Sequence, residues 1–129
     1  MKATITQRFT TNGVSYDVDC DCRFLFFCER DPASGEWKAR YVKLIYEKDK
    51  VVPADGRTAP TFAPEVLARY PEGYKYLGAA QSSLGYEVDL SLATAKDHAR
   101  WFRMYASMEK WLAGEDPELF WTAGERSKL

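Results

Sequence analysis

Three aspartates alternate along one stretch of the chain and would form a row of carboxylates if that stretch is extended: Asp17, Asp19 and Asp21. Carboxylate oxygens are the ligands that a hard cation such as Ca²⁺ prefers. A straight row lacks the loop through which such ligands converge, so a solvated polar face is the alternative. The spacing favours this alternative, and we expect no metal site.

The single histidine, His98, is the side chain best suited by type to act as a general base near neutral pH. It lies between Asp97 and Arg100 in the first turns of a predicted helix, away from that helix's apolar stripe. The two interpretations are a catalytic base and a solvated surface histidine, and the position favours the second.

All three cysteines, Cys20, Cys22 and Cys28, share one parity of one predicted strand. Two residues two positions apart on a strand are separated by about 6.5–7 Å, which is poor for a mutual disulfide. No CxxC pair and no second histidine supply further metal ligands. We therefore expect reduced, buried cysteines that act as small apolar residues.

Aromatic residues make up 15% of the chain, which predicts a core or a pocket rich in rings. Tyr16, Phe24, Phe26 and Tyr41 are the candidate ligand-binding residues, because small-molecule pockets are mostly apolar with a few polar groups. Ordinary core packing is the alternative for all four.

Two arginines and a tyrosine cluster are further candidates. Arg23 and Arg40 flank apolar runs and could bind a substrate carboxylate, whereas surface ion pairs with Asp21 or Glu36 are the alternative. The tyrosines of residues 70–76 surround a proline and a glycine, and this ring density predicts either the mouth of a cavity or a contact surface.

The elements that would position these residues begin with strands. The period of two over residues 14–30 predicts a long strand with its even-numbered face buried. Between Phe24 and Phe27 both parities are apolar, so we expect that end to be covered on both faces. Asn12-Gly13 predicts a tight hairpin to a first strand over residues 2–10.

A turn over residues 31–36 leads to a third predicted strand over residues 37–48, whose two apolar faces predict a central position. Helices are predicted in the second half. The first is a short helix that begins at Pro64, and the second covers residues 72–84. The third is an amphipathic helix that runs from the Thr94–Asp97 capping box to Gly114. Strands followed by helices predict an α+β fold with helices packed on one face of a three-stranded antiparallel sheet.

Bulk properties exclude several classes of function. The 129 residues carry a net charge of −1, which argues against the basic surface that nucleic-acid binding requires. No apolar run approaches the roughly 20 residues needed to span a bilayer. The first residues lack the apolar core of a signal peptide, so we expect a cytoplasmic protein without a membrane partner.

Four blocks of the chain carry a resemblance to a known family: residues 4–9, 23–27, 37–44 and 70–77. The sequence resembles the SnoaL-like group of the NTF2-like superfamily over residues 1–121, followed by a polar tail, residues 122–129. The resemblance implies a strongly curved sheet that forms a cone around a hydrophobic cavity. The sequence differs from that superfamily because no helix is predicted before its first strand, whereas in the superfamily helices precede the sheet and close the cavity.

The function that the resemblance implies is the binding of a hydrophobic cyclic metabolite, without a cofactor. A catalytic member would move a proton, as an isomerase, dehydratase or cyclase does. Homodimerisation through the outer sheet face is common in the superfamily and is expected here. The alternative is a non-catalytic, self-associating subunit or partial domain.

Overall fold

A computed structural model describes residues 1–119 and shows an α+β fold with one three-stranded antiparallel sheet. The elements are β1 Lys2–Thr11, β2 Val14–Arg30, β3 Trp37–Pro53, α1 Pro64–Leu67, α2 Lys75–Ser83 and α3 His98–Leu112. The expected domain limit at residue 121 and the predicted tail, residues 122–129, lie outside the described residues.

The sheet has the order β1-β2-β3 and remains open, so the described part of the chain does not close into a cone. The first hairpin is confirmed: Asn12 and Gly13 both have positive φ angles, 50° and 76°, as a two-residue turn of this kind requires. The prediction that β3 is central is wrong, because β2 occupies the centre and β3 is an edge strand.

Two irregularities interrupt the pairing of β2 with β3. The register shifts between Asp21 and Cys22 and again between Phe27 and Cys28. In both places β3 contributes the extra residue, Glu47 in the first and Arg40 in the second. Bulges of this kind bend a strand and increase its twist.

The two faces of the sheet are buried in different halves. On the front face, defined here as the face that carries Tyr16, burial runs from Tyr16 to Cys22 and then declines, so that Phe26 is 44% exposed. On the opposite, back face, burial begins only at Leu25 and Phe27. The expectation that both faces are covered between Phe24 and Phe27 is therefore wrong.

The front core lies between the sheet and α2. Its buried members are Phe9, Tyr16, Val18, Cys20, Cys22, Tyr74, Leu77 and Ala80. The helix begins later than predicted, at Lys75, and Gly85 follows its C-cap with a φ of 86°, as expected.

The back core lies between the other half of the sheet and α3. Its buried members are Leu25, Phe27, Ile45, Ala93, Met104 and Leu119. Helices thus pack on both faces, so the expectation of helices on one face is wrong. Asp97, rather than Thr94, is the N-cap of α3, and its carboxylate accepts a hydrogen bond from the Arg100 backbone at 3.0 Å.

Thr94 instead takes part in a parallel bridge with Tyr46 of β3. The Tyr46 amide donates to the Ala93 carbonyl at 2.9 Å, and the Ala95 amide donates to the Tyr46 carbonyl at 2.9 Å. This bridge holds the segment between α2 and α3 against β3. None of the helices in residues 1–119 combines the length and the apolarity needed to cross a membrane.

Candidate ligand cavity

A cavity of about 220 Å³ lies on the front side of the sheet, between β1, β3, α2 and the segment that follows α2. Its lining residues are Ile5, Gln7, Tyr46, Tyr74, Leu77, Gln81, Glu87, Val88, Asp89 and Leu92. Aliphatic and aromatic walls combined with a few polar groups are the usual composition of a small-molecule site.

Two tyrosines form the aromatic wall of the cavity. The ring centroids of Tyr46 and Tyr74 are 5.0 Å apart with an interplanar angle of 52°. Burial raises the pKa of each hydroxyl to about 12, so both are neutral, and therefore hydrogen-bond donors, at physiological pH. The Tyr74 hydroxyl donates to the Asp89 carbonyl at 2.9 Å, whereas the Tyr46 hydroxyl has no hydrogen-bond partner among residues 1–119.

An amide pair and a carboxylate connect this cavity with a wider groove. The Gln81 side-chain amide donates to the Gln7 side-chain carbonyl at 3.1 Å, joining α2 to the edge strand β1. Gln7, Gln81 and Glu87 line both the cavity and the groove, whose volume is about 510 Å³. These three side chains therefore lie at the boundary between the cavity and the more open surface.

Two residues outside the cavity fix the tyrosine wall. Gly73 has a φ of +118° and lies so close to β3 that a Cβ atom there would be 2.9 Å from the Tyr46 carbonyl oxygen. Asp49 of β3 accepts a hydrogen bond from the Leu77 backbone amide at 2.9 Å. This amide belongs to the first turn of α2 and has no acceptor within the helix. Burial raises the pKa of this carboxyl above its ordinary value.

The four predicted ligand-binding residues are not brought together. Tyr16 is fully buried in the front core, where its ring stacks on Phe9 at a centroid distance of 5.8 Å. Phe24 and Phe26 stack on each other at 6.4 Å near the open end of the front face. Tyr41 lies on the back face, against Phe27 and Trp111 of the back core.

The cysteine prediction is confirmed for two residues and wrong for the third. Cys20 and Cys22 are free and buried, with their sulfur atoms 3.8 Å apart. The Cys22 thiol and burial both raise the pKa of Cys20, which keeps that thiol protonated. Cys28 is free but exposed, because α2 does not extend over its end of the front face.

The aspartate row forms a polar ladder on the back face. The Thr4 hydroxyl donates to Asp21 at 2.6 Å, and the Thr6 hydroxyl donates to Asp19 at 2.7 Å. Arg8 forms a bidentate pair with Asp17. Each carboxylate thus has a cross-strand partner, and residues 1–119 contain no cluster of three or more His, Cys, Asp or Glu side chains arranged to hold a metal ion.

None of the remaining candidates, His98, Arg23 and Arg40, lines the cavity. His98 is exposed at the start of α3, as the surface interpretation requires. Arg23 forms an ion pair with Glu47 at 3.1 Å, rather than with Asp21, and lies over the Trp101 ring at 4.7 Å. The Arg40 guanidinium carbon lies 6.0 Å from the centroid of the Tyr41 ring, on the back face.

Sequence reasoning missed most of the cavity lining. Tyr74 belongs to the predicted tyrosine cluster of residues 70–76. The sequence around Tyr46 gives no sign of a cavity position, because the bulge at Glu47 decides that Tyr46 lies on the front face. Gln7 interrupts the apolar parity of β1. A polar residue at an otherwise buried position is the one signal that could have indicated the cavity.

Fold and site thus define an α+β protein with a cavity on the front side of a three-stranded antiparallel sheet. No family model matches the chain. It is 39% identical over 126 aligned residues to Pea pathogenicity protein 2 of Fusarium vanettenii, in an alignment that covers 92% of this chain and 53% of that protein. A PEP2-like protein of the same organism is 37% identical, with the same coverage of each chain.

A protein of Emericella nidulans, named only as uncharacterized, is 36% identical over 90% of this chain and 53% of its own length. The chain therefore spans about half the length of the curated relatives it matches.

Proposed function

We propose that this chain is a small-molecule-binding domain of the SnoaL-like type, which takes a hydrophobic cyclic metabolite into the cavity beside α2. The observation that carries the proposal is the cavity itself, with its wall of two tyrosine rings and a Tyr46 hydroxyl that finds no hydrogen-bond partner within the described part of the chain. The name of the Fusarium relative refers to pathogenicity on pea and names no ligand, so the proposal rests on the cavity.

The chemistry available in the cavity is proton transfer. A carboxylate, Glu87 or Asp89, can accept a proton, and the neutral Tyr46 hydroxyl can donate a hydrogen bond to a carbonyl oxygen of the ligand. Isomerisation, dehydration and cyclisation are the reaction classes that this pair of groups would support without a cofactor.

The test is a pair of variants with opposite purposes. Tyr46→Phe removes the donor but keeps the ring, so ligand affinity should fall by roughly fivefold, about the worth of one hydrogen bond. Val88→Phe should fill the cavity and abolish binding. Matched controls are Tyr105→Phe, on the back face, and Val42→Phe, on the open front face.

Native mass spectrometry of the purified protein identifies any retained metabolite, and titration with that metabolite or with simple ring compounds compares the variants. Unchanged binding in both Val88→Phe and Tyr46→Phe would contradict the proposal, because the ligand would then occupy another place.

A second candidate function, self-association, is favoured by an apolar patch on the open half of the front face. The patch consists of two cross-strand pairs, Phe24 with Leu44 and Phe26 with Val42. Phe26 is 44% exposed and Val42 46% exposed. The patch carries no charge, so apposing two copies of it brings no like charges together, and burying it would remove apolar surface from water.

The test of self-association is sedimentation velocity across a concentration series. Phe26→Ser and Val42→Ser should shift the protein towards the monomer, whereas Val52→Ser, an exposed valine on the back face, should not. A wild-type protein that stays monomeric at the highest concentration would exclude this candidate.

A further inference from the structure

The outer edge of the sheet at β1 is long and regular. β1 pairs with β2 over ten consecutive residues without a shift of register, so its other side forms an uninterrupted edge. The strand also contains no proline, which would remove a backbone donor from that edge. An edge of this length without a bulge or a proline is a template for pairing with a further strand.

The hydrogen bonds inside the first hairpin decide which backbone groups of β1 face outward. Opposite residues of an antiparallel pair alternate between those that exchange hydrogen bonds and those that do not. Met1 and Phe24 exchange both, with the Phe24 amide 2.7 Å from the Met1 carbonyl and the Met1 ammonium 2.8 Å from the Phe24 carbonyl. The odd-numbered residues of β1 therefore bond to β2.

The outward-facing amides and carbonyls of β1 belong to its even-numbered residues, whose side chains are all exposed: Lys2, Thr4, Thr6, Arg8 and Thr10. Within residues 1–119 the backbone of these five residues forms no hydrogen bond to another element. The edge therefore offers five donors and five acceptors in a regular row.

The opposite edge of the sheet, at β3, is not open in the same way. Two bulges interrupt β3, and the amide and carbonyl of Tyr46 are already bonded to residues 93 and 95. Pairing of β1 with β3 of another copy would continue from copy to copy without closing, and this interrupted edge disfavours it. Pairing of β1 with β1 closes around a two-fold axis.

The two charged side chains of β1 do not guard its edge. Lys2 reaches across the sheet to Glu47 of β3 at 3.1 Å, and Arg8 pairs with Asp17 of β2. Both basic groups are thus directed inward along the back face. They differ in this respect from the unpaired edge lysines that protect many sheets from edge-to-edge pairing.

Charge and strand length select one register for a two-fold pairing of β1 with itself. With Ile5 on the axis, Lys2 lies opposite Arg8 of the second copy, and like charges directly opposite one another are destabilising. With Gln7 on the axis, Lys2 lies opposite Asn12, which belongs to the turn and not to a strand. Both registers are therefore disfavoured.

We propose that two copies of this chain pair through β1 around a two-fold axis at Thr6 and form a continuous six-stranded sheet. In this register all five outward-facing residues have an outward-facing partner. Arg8 lies opposite Thr4 of the second copy, and Lys2 lies opposite Thr10, so no like charges meet. The surface is separate from the apolar patch of β2 and β3, and the inference does not depend on the ligand cavity.

The groove beside β1 adds apolar contacts to these hydrogen bonds. Leu84 and Tyr86 line it on the front side and are 56% and 66% exposed. In the register centred on Thr6, Ile5 of the second copy lies opposite Gln7 and faces the same side of the sheet. The second copy would therefore cover exposed apolar surface in the groove.

The first test is sedimentation velocity across a concentration series. Thr6→Lys places two lysines opposite each other at the axis but keeps a partner for Asp19 within each chain, and it should weaken dimerisation roughly tenfold. Thr61→Lys is the matched control, because it adds the same charge at an exposed loop position. Thr6→Pro removes an outward amide and no bond to β2, and should weaken dimerisation roughly thirtyfold through the two hydrogen bonds lost at the axis.

The second test traps the register with a disulfide in a Cys28→Ser background, which removes the exposed native thiol. Cα atoms of a hydrogen-bonded antiparallel pair are about 5.5 Å apart, within the range that a disulfide bridges. Thr6→Cys should therefore give a covalent dimer on mild oxidation. Thr10→Cys is the control, because its two copies would be separated by roughly 27 Å along the strands.

The outcomes separate this interface from the apolar patch. A protein that stays monomeric at the highest concentration overturns the inference. A dimer that resists Thr6→Lys and Thr6→Pro but dissociates in Phe26→Ser belongs to the patch and overturns it as well. Equal cross-linking of Thr6→Cys and Thr10→Cys contradicts the two-fold register at Thr6.

Discussion

The carboxyl group of Asp49 provides the sharpest test of the architecture beside the cavity. It accepts the Leu77 amide at 2.9 Å and so binds the start of α2 to β3. Its pKa is raised, chiefly because burial disfavours the charged form, although the hydrogen bonds from the Leu77 and Tyr76 amides oppose this effect. Hydrogen bonding at this position is therefore favourable, whereas negative charge is not.

The sign of the pH dependence follows from the raised pKa. The stabilising contribution is fully present below the ordinary carboxyl pKa of 3.8 and is lost as pH rises through the higher value of the folded state. Asp49→Asn keeps one acceptor oxygen and carries no charge. Its free energy of unfolding should therefore equal or exceed that of the wild type at pH 7.

Asp49→Ala removes the acceptor as well and leaves two amides of the first turn of α2 unsatisfied. The loss of a helix-capping interaction costs about 1 kcal/mol, and up to about 2 kcal/mol where the freed amides are buried. The free energy of unfolding of Asp49→Ala should therefore lie below that of Asp49→Asn by that amount at every pH, because both variants lack the carboxyl group that titrates.

The assay is urea unfolding at several pH values between 3 and 7. The stability of Asp49→Asn relative to wild type should rise with pH across this range. Asp55→Asn is the control with the opposite sign, because Asp55 is exposed and its pKa is lowered by hydrogen bonds from the Thr58 and Arg57 amides. Its stability relative to wild type should fall as pH rises at the acidic end of the range, because the lowered pKa confines the effect to pH values near and below the ordinary carboxyl value of 3.8.

Equal destabilisation of Asp49→Asn and Asp49→Ala at pH 7 would refute the reasoning, because it would show that the negative charge itself is needed. A relative stability of Asp49→Asn that declines with pH would refute it as well.

Three further predictions concern single residues. In the folded protein a thiol reagent should modify Cys28 alone, and all three cysteines should react only after unfolding. Reaction of Cys20 and Cys22 at the same rate as Cys28 in the folded protein would contradict their burial. Gly73→Ala forces a Cβ against a backbone carbonyl at positive φ and should lower the free energy of unfolding by about 1–3 kcal/mol, measured in urea; an unchanged midpoint would contradict the close approach. Trp111→Phe removes the indole hydrogen bond to the Cys28 carbonyl, 2.9 Å long, and should cost about 1 kcal/mol in the same assay, whereas no change would show that the bond contributes nothing.

Much of the sheet could be predicted because its signals are local. The alternation of residues 14–30 and the Asn12-Gly13 turn specify β2 and the first hairpin without reference to the rest of the chain. Helix limits were predicted less well: α2 begins at Lys75 rather than at residue 72. The N-cap of α3 is Asp97 rather than the predicted Thr94, because Thr94 takes part in the bridge to β3.

The candidate site could not be predicted in the same way. Tyr16, Phe24 and Phe26 share a parity, which made them natural pocket candidates, but only the first lies under α2. Tyr46 and Gln81 come from elements far apart in sequence and meet at the cavity only because α2 packs on the front face. Neither residue has a neighbour pattern that distinguishes it from an ordinary strand or helix position.

The sequence by itself determined where the strands run and which side chains share a face, because the period of two is a property of the extended chain. It did not determine which face each half of the sheet buries. From Phe24 to Phe27 both parities are apolar, so the hydrophobic pattern is equally satisfied by a cover on either side. The packing of α2 on the front and α3 on the back made that choice. It buried Phe27, exposed Phe26, and opened the cavity between Tyr46 and Gln81.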